Sequence, residues 1–266
     1  MKVTFLGTGG GRFVMINQIR ATAGFMVESK NLKMFVDPGP GALIMAKKYG
    51  IKLNKLNSIF VSHAHLDHCN DLEVIIEAMT YGATEKKGFL ISNENVIKGS
   101  EEFGAISGYH LNILEKYYIA KPDEEFNFLN IKLKTTRCKH DETKCIGFVL
   151  EDEKKLGYTA DTEYYEGLEN YFENCDCLII NCLRPWNSKP YGHMTSDKAK
   201  ILIEKASPKL AILQHFGMKM IFGRAEKDAK LIEKETGIKT IAAKDGESYE
   251  IERGKNLKRI LELGSN

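Results

Sequence analysis

Three histidines and an aspartate fall within six residues, His63-Ala64-His65-Leu66-Asp67-His68, one residue (Ser62) behind the apolar run Ile59-Phe60-Val61. An apolar run of that kind reads as a buried strand, so the four polar groups are delivered to a loop at its end and then to a helix. Residues two apart on an extended chain point the same way, which lets His63 and His65 converge on one position. A turn at Leu66 redirects the chain, so that Asp67 and His68 face a neighbouring position. Three imidazoles and a carboxylate suit a borderline-soft divalent cation such as zinc (Zn2+), and manganese (Mn2+) or iron fits the same donors. Composition alone yields such a pattern on the order of once in several thousand chains of this kind.

Around this cluster, short strand-like runs alternate with helical patterns. Strands are predicted at Val3–Leu6, Ala23–Glu28, Lys33–Val36, Ser58–Ser62 and Gly88–Ser92, then at Ile131–Thr136, Ile146–Leu150, Lys155–Thr159 and Cys177–Asn181. Three more follow at Leu210–Gln214, Thr240–Ala243 and Ser248–Ile251. Helices are predicted over Asp71–Met79, over Ser196–Ala206 behind a Thr195 N-cap, and over Arg224–Thr236 with a stop at Gly237. Tyr81–Pro122 reads as connecting structure with one helix near Tyr109–Tyr117. Mixed strands and helices without a Pro/Gly/Ser-rich linker indicate a single α/β layered domain over residues 1–266.

Lys plus Arg number 38 against 36 Asp plus Glu, interspersed along the chain, which leaves no strong nucleic-acid footprint beyond a local basic patch. The absence of an apolar signal-like or membrane-length run predicts no membrane partner and a cytoplasmic protein. Six cysteines are expected to be reduced and structural, with Cys175 and Cys177 beside an apolar run as small core residues.

One four-ligand cluster does not fill two metal shells. His140, Asp161 and His215 each stand just beyond an apolar run, where α/β folds gather binding groups. Taken together with the first cluster they supply the missing ligands.

These motifs, with the opening Phe5-Leu-Gly-Thr-Gly-Gly-Gly, Val36-Asp37-Pro-Gly, Gly157-Tyr-Thr-Ala-Asp161-Thr and Gln214-His215-Phe, resemble the metallo-β-lactamase superfamily over nearly the full chain. Within it they resemble the branch of ribonuclease Z and related phosphodiesterases. The resemblance implies a four-layer αββα sandwich with its site along one edge of two sheets. It implies His63, His65 and His140 at a first metal, Asp67, His68 and His215 at a second, and Asp161 bridging them. Tyr191-Gly-His193-Met-Thr195 resembles that branch's histidine element, whose histidine contacts the scissile phosphate without ligating metal. A position before a helix N-terminus is favourable for an anion; a capping or surface histidine is the alternative reading of His193. His110 is expected to be structural or superficial.

Other features are less decisive. Gly7-x-Gly9-Gly10-Gly11 invites a dinucleotide-binding reading, but no helix-periodic run follows, and a tight turn near the metal-ligand loop accounts for it better. Asp37 reads as an acceptor orienting ligand loops, or as a turn residue. Arg12 and Arg20 are candidates to reach a phosphate, or are solvated charge. Arg184-Pro185-Trp186 is expected to line a pocket or to pack.

The expected function is hydrolysis of a phosphodiester in a small or cyclic nucleotide or in RNA. Two metals would share a hydroxide, Asp67 would orient it, and His193 would assist. A second copy of the chain is a further candidate partner. Ribonuclease Z enzymes carry a protruding basic arm that Tyr81–Pro122 is too short and too little basic to supply, which favours a small diester. Rival readings are thioester or lactone hydrolysis on the same fold, a non-catalytic metal protein, and a nucleic-acid-binding module.

Overall fold

The apolar runs become two mixed β-sheets. A computed structural model describes residues 1–251 and the two residues 259–260; the remainder of the predicted 1–266 domain lies outside the described residues. In chain order the strands are β1 (Lys2–Phe5), β2 (Phe25–Glu28), β3 (Lys33–Val36), β4 (Ser58–Val61), β5 (Phe89–Ser92), β6 (Lys116–Ile119) and β7 (Glu125–Phe128). They continue with β8 (Ile131–Arg137), β9 (Ile146–Glu151), β10 (Lys155–Tyr158), β11 (Cys177–Asn181), β12 (Ala211–Gln214), β13 (Thr240–Ala242), β14 (Ser248–Glu250) and β15 (Arg259–Ile260). One sheet runs β15-β14-β1-β2-β3-β4-β5-β6 and the other β13-β12-β11-β10-β9-β8-β7.

Side-chain alternation builds the layers. Phe25, Val27, Met34, Val36 and Phe60 of the first sheet share a core with Phe148, Leu150, Leu156, Tyr158, Ile179 and Ile212 of the second. Phe60 meets Phe148 edge to face across that seam, with ring centres 4.8 Å apart. Burying such a ring is worth about 1.5–3 kcal/mol. The opposite faces are buried too. Phe35, Ile59 and Val61 pack with Leu72, Ile75, Ile76 and Met79 of the helix Leu72–Met79. Leu178, Ile180, Ala211 and Leu213 pack with residues of the helices Ser196–Ala206 and Arg224–Thr236. Strands covered on both faces read as near-continuous apolar runs. The result is the expected αββα sandwich, with no helix among the described residues long and apolar enough to cross a membrane.

The second and third predicted helices have their predicted bounds, and Gly237 closes the third in the left-handed region at φ 71°. Thr195 occupies the N-cap position without a capping side-chain bond, and its buried Oγ1 has no partner among the described residues. Three expectations need correction. The helix placed near Tyr109–Tyr117 spans only Gly108–Asn112, capped by Ser107, and the aromatic run behind it pairs in parallel with β5 as the edge strand β6. Strand β7, unpredicted, forms a hairpin with β8 through Leu129 and Asn130, both at positive φ. A short helix, Arg12–Asn17, does follow the glycine turn directly. All six cysteines are free, as expected.

Candidate metal centre

Strand direction decides where the polar residues gather. Strands β3 to β6 run parallel, as do β10 to β13. Their carboxyl ends carry Asp37 after β3, His63 after β4, Asp161 after β10 and His215 after β12, so one edge of the sandwich receives all four. His65 caps the short helix Leu66–Cys69, which holds Asp67 and His68. His140 follows β8, and His193 precedes the helix Ser196–Ala206.

The donor atoms converge in groups of three. His63, His65 and His140 bring ligand atoms within 4.8 Å of one another, as do Asp67, His68 and His215, and likewise His63, His68 and Asp161. His63 Nε2 lies 3.0 Å from His65 Nδ1, which is 3.3 Å from His140 Nε2. In the second set His68 Nε2 lies 3.0 Å from His215 Nε2, itself 3.3 Å from Asp67 Oδ2. Asp161 Oδ2 reaches His68 Nε2 at 3.4 Å. Donors about 2.1 Å from one ion, at tetrahedral or octahedral angles, are separated from each other by about 3.0–3.4 Å.

Tautomers follow from the outer partners. Asp37 Oδ2 accepts hydrogen bonds from Ser62 Oγ at 2.7 Å, His68 Nδ1 at 2.8 Å and Tyr158 OH at 2.6 Å, and Oδ1 accepts from the Ser62 amide at 2.7 Å. Ser62 Oγ, having donated to Asp37, accepts from His63 Nδ1 at 2.9 Å. His140 Nδ1 donates to the Gly192 carbonyl at 2.8 Å. Each of these three imidazoles therefore turns a bare Nε2 inward. Three imidazole nitrogens so directed, with Asp67 and Asp161 beside them, make a donor set that fits a divalent ion.

The local field agrees. Burial, then the neighbouring His68, holds His63 well below the usual histidine range, and burial likewise lowers His140. For His68 burial again acts to lower the value, but the carboxylates Asp161, Asp67 and Asp37 outweigh it and raise it well above that range. Burial would raise Asp161, yet His215, His68 and His193 hold it well below the carboxylate range. Positive charge is thus favoured beside Asp161, Asp67 and Asp37, while burial disfavours it on His63 and His140.

The glycine turn has the role expected of it. The Gly11 amide donates to Asp67 Oδ2 at 2.8 Å. A Cβ on Gly10 would stand 2.3 Å from the His215 ring. Gly10→Ala is therefore expected to lower stability by about 1–3 kcal/mol and to weaken retention of divalent ions, checked by thermal unfolding and metal analysis. An unchanged variant would show that His215 is not pinned by this turn.

His193 lies in the same cluster, its Nδ1 3.3 Å from Asp161 Oδ2 and its side chain 17% exposed. Six of the seven histidines thus stand together. His110 sits apart, 3.3 Å from Glu73 and 3.4 Å from Glu77. Arg20 is not free for a phosphate: it bonds Thr8 Oγ1 and the Ala243 carbonyl, pairs with Glu226 and stacks over Phe216. Arg12 is exposed. Arg184 lies over the Tyr191 ring, and Trp186 packs against the outer core. Sequence reasoning missed Asn181, whose Nδ2 donates to Asp161 Oδ1 at 2.7 Å and to Tyr158 OH at 3.1 Å. It also missed Tyr158 itself. A signal existed for Asn181, a polar residue ending the apolar strand β11 as Gln214 ends β12.

Comparison with known proteins agrees with this geometry. Residues 33–216 match the Beta-lactamase superfamily domain. The protein MJ1374 of Methanocaldococcus jannaschii is 37% identical over 259 residues, covering 96% of this chain and 97% of that one. Ribonuclease Z of Nitrosopumilus maritimus is 23% identical, covering 81% and 89%. The crystal structure of the metallo-beta-lactamase fold protein YhfI from Bacillus subtilis superposes with a TM-score of 0.76 at 23% identity, covering 93% of this chain and 98% of that one. With a family match across most of its length and the ligand motifs gathered at one sandwich edge, this chain belongs to the metallo-hydrolases of the β-lactamase superfamily.

Proposed function

We propose that this protein hydrolyses phosphodiesters with two divalent ions, zinc by the chemistry of the donors. The observation that carries the reading is the pair of three-residue ligand sets joined at Asp161, with His193 beside the shared carboxylate. His63, His65 and His140 would hold one ion, and Asp67, His68 and His215 the other. Ions bound there would supply Lewis acidity and a nucleophile at neutral pH.

The chain's own residues do the rest. Asp67, fixed by the Gly11 amide, orients the attacking water through its carboxylate. The Asp37 hub fixes the ring planes and tautomers of His63 and His68. Gly192 spans two roles: its carbonyl orients His140 and its amide is held by Glu163 Oε1 at 2.7 Å. That clamp places His193, next in sequence, where its ring donates to a phosphoryl oxygen or protonates the leaving oxygen.

A small diester, such as a cyclic nucleotide, suits the chain better than transfer RNA. Residues 81–122, too short and too little basic to supply a ribonuclease Z arm, are taken up here by β5, β6 and two short helices. The similarity to a ribonuclease Z supports phosphodiester chemistry.

His193→Ala tests the assignment. Turnover of a diester is expected to fall by about 10²–10³-fold, the lower part of the range for a positioned acid–base group, because water reaches this partly exposed position. The content of bound divalent ions is expected to stay unchanged. Loss of an ion from the variant would make His193 a ligand and sink the role given to it.

A further inference from the structure

Beside the first ligand set stands a carboxylate that the seven proposed ligands do not include. Asp141 Oδ1 lies 2.8 Å from His140 Nε2, on a side chain 67% exposed at the rim. That nitrogen is the wrong partner for a carboxylate. His140 Nδ1 carries the proton given to Gly192, so Nε2 presents a lone pair, which faces His65 Nδ1 at 3.3 Å. A carboxylate oxygen and a bare imidazole nitrogen at 2.8 Å repel unless a cation is shared between them.

Asp141 is also held in this position. Its Oδ1 accepts the Glu142 amide at 3.1 Å, and the buried Glu142 side chain is tied to Asn93 Nδ2 at 3.1 Å. Charge balance points the same way. His63, His65 and His140 contribute no charge, whereas the second set has Asp67, and Asp161 is shared between them.

We propose that Asp141 is a further metal-site residue of this chain, its carboxylate engaging the divalent ion held by His63, His65 and His140 through one water. A carboxylate in this outer position orients the donors around the ion and tightens the site. The inference rests on the proposed metal centre but not on its substrate.

The test is competition between the metal-free protein and a chromogenic chelator for cobalt and for zinc. Asp141→Asn is expected to bind one of its two ions about 10–100-fold more weakly, leaving the other unchanged and shifting the visible cobalt spectrum. Asp141→Glu should recover part of the loss, and far-UV circular dichroism of the metal-free variants should match that of the parent. Unchanged affinities would overturn the proposal. So would tighter binding by Asp141→Asn, the outcome if Asp141 only pairs with His140 and competes with the ion. Because no substrate enters the measurement, a failed phosphodiester reading leaves it intact. A parent chain that bound no ion would overturn both the centre and the role of Asp141.

Discussion

Asp161→Ala is expected to leave the protein with at most one bound divalent ion and to lower diester turnover by ten-thousandfold or more. Asp161 is buried, 3.4 Å from His68 Nε2 and 3.4 Å from His215 Nδ1, and 3.3 Å from His193 Nδ1. In the proposed centre it is the carboxylate shared by both ligand sets, and Asn181 Nδ2 donates to its Oδ1 at 2.7 Å. Removing it leaves three imidazoles and an amide crowded together without the charge that offsets them. Losing the action of one ion on the reacting oxygens removes roughly 6 kcal/mol of barrier lowering if each of its two contributions is worth several kcal/mol, and that is a factor above 10⁴ in rate. Metal analysis after dialysis, with turnover on the same sample, checks the result. Retention of both ions with turnover within about tenfold of the parent would contradict the bridging role.

Asp37→Asn is expected to be the most destabilising conservative change near the site. The carboxylate is buried and accepts four hydrogen bonds, from the Ser62 amide, Ser62 Oγ, His68 Nδ1 and Tyr158 OH. An amide of the same shape must turn an NH2 towards one side of that ring of donors. It removes the partner of a buried imidazole, a change that costs about 3–5 kcal/mol when a buried pair is broken. The backbone does not complicate the comparison, because Asp37 sits at φ 50°, a conformation asparagine also adopts readily. Thermal unfolding of the metal-free protein should shift down by on the order of 10 °C. Metal-free protein is the right sample, since bound ions would add their own stabilisation. A shift of less than about 2 °C would show that the hub orients the histidines without holding the fold.

The contrast between what the sequence announced and what it hid has a physical pattern. Strands covered on both faces, such as β4, β11 and β12, leave apolar runs that end abruptly in a polar residue, and each such end proved to face the same edge. His63, Asp161 and His215 were legible for that reason. Asp37 was recognised as an acceptor, but its fourfold role depends on Tyr158, which arrives from the opposite sheet at a separation of 121 residues. No local pattern encodes that meeting. Edge elements were also illegible. Strand β6 is largely exposed, so its aromatic run lacks the alternation of a half-buried strand. The β7–β8 hairpin turns through Leu129 and Asn130 at positive φ without the Asn-Gly pair that usually marks such a turn. Arg20 read as a free cation because two of its partners, Ala243 and Glu226, come from distant parts of the chain.

The measurement closest to the central claim is hydrolysis of a generic chromogenic phosphodiester by the purified protein, first after chelation and then after return of zinc or manganese. The expected result is no turnover without divalent ions and restored turnover with two bound per chain, lost again in Asp161→Ala. Two bound ions per chain and no diester turnover with either metal would contradict the phosphodiesterase reading and direct the same site to acyl bonds.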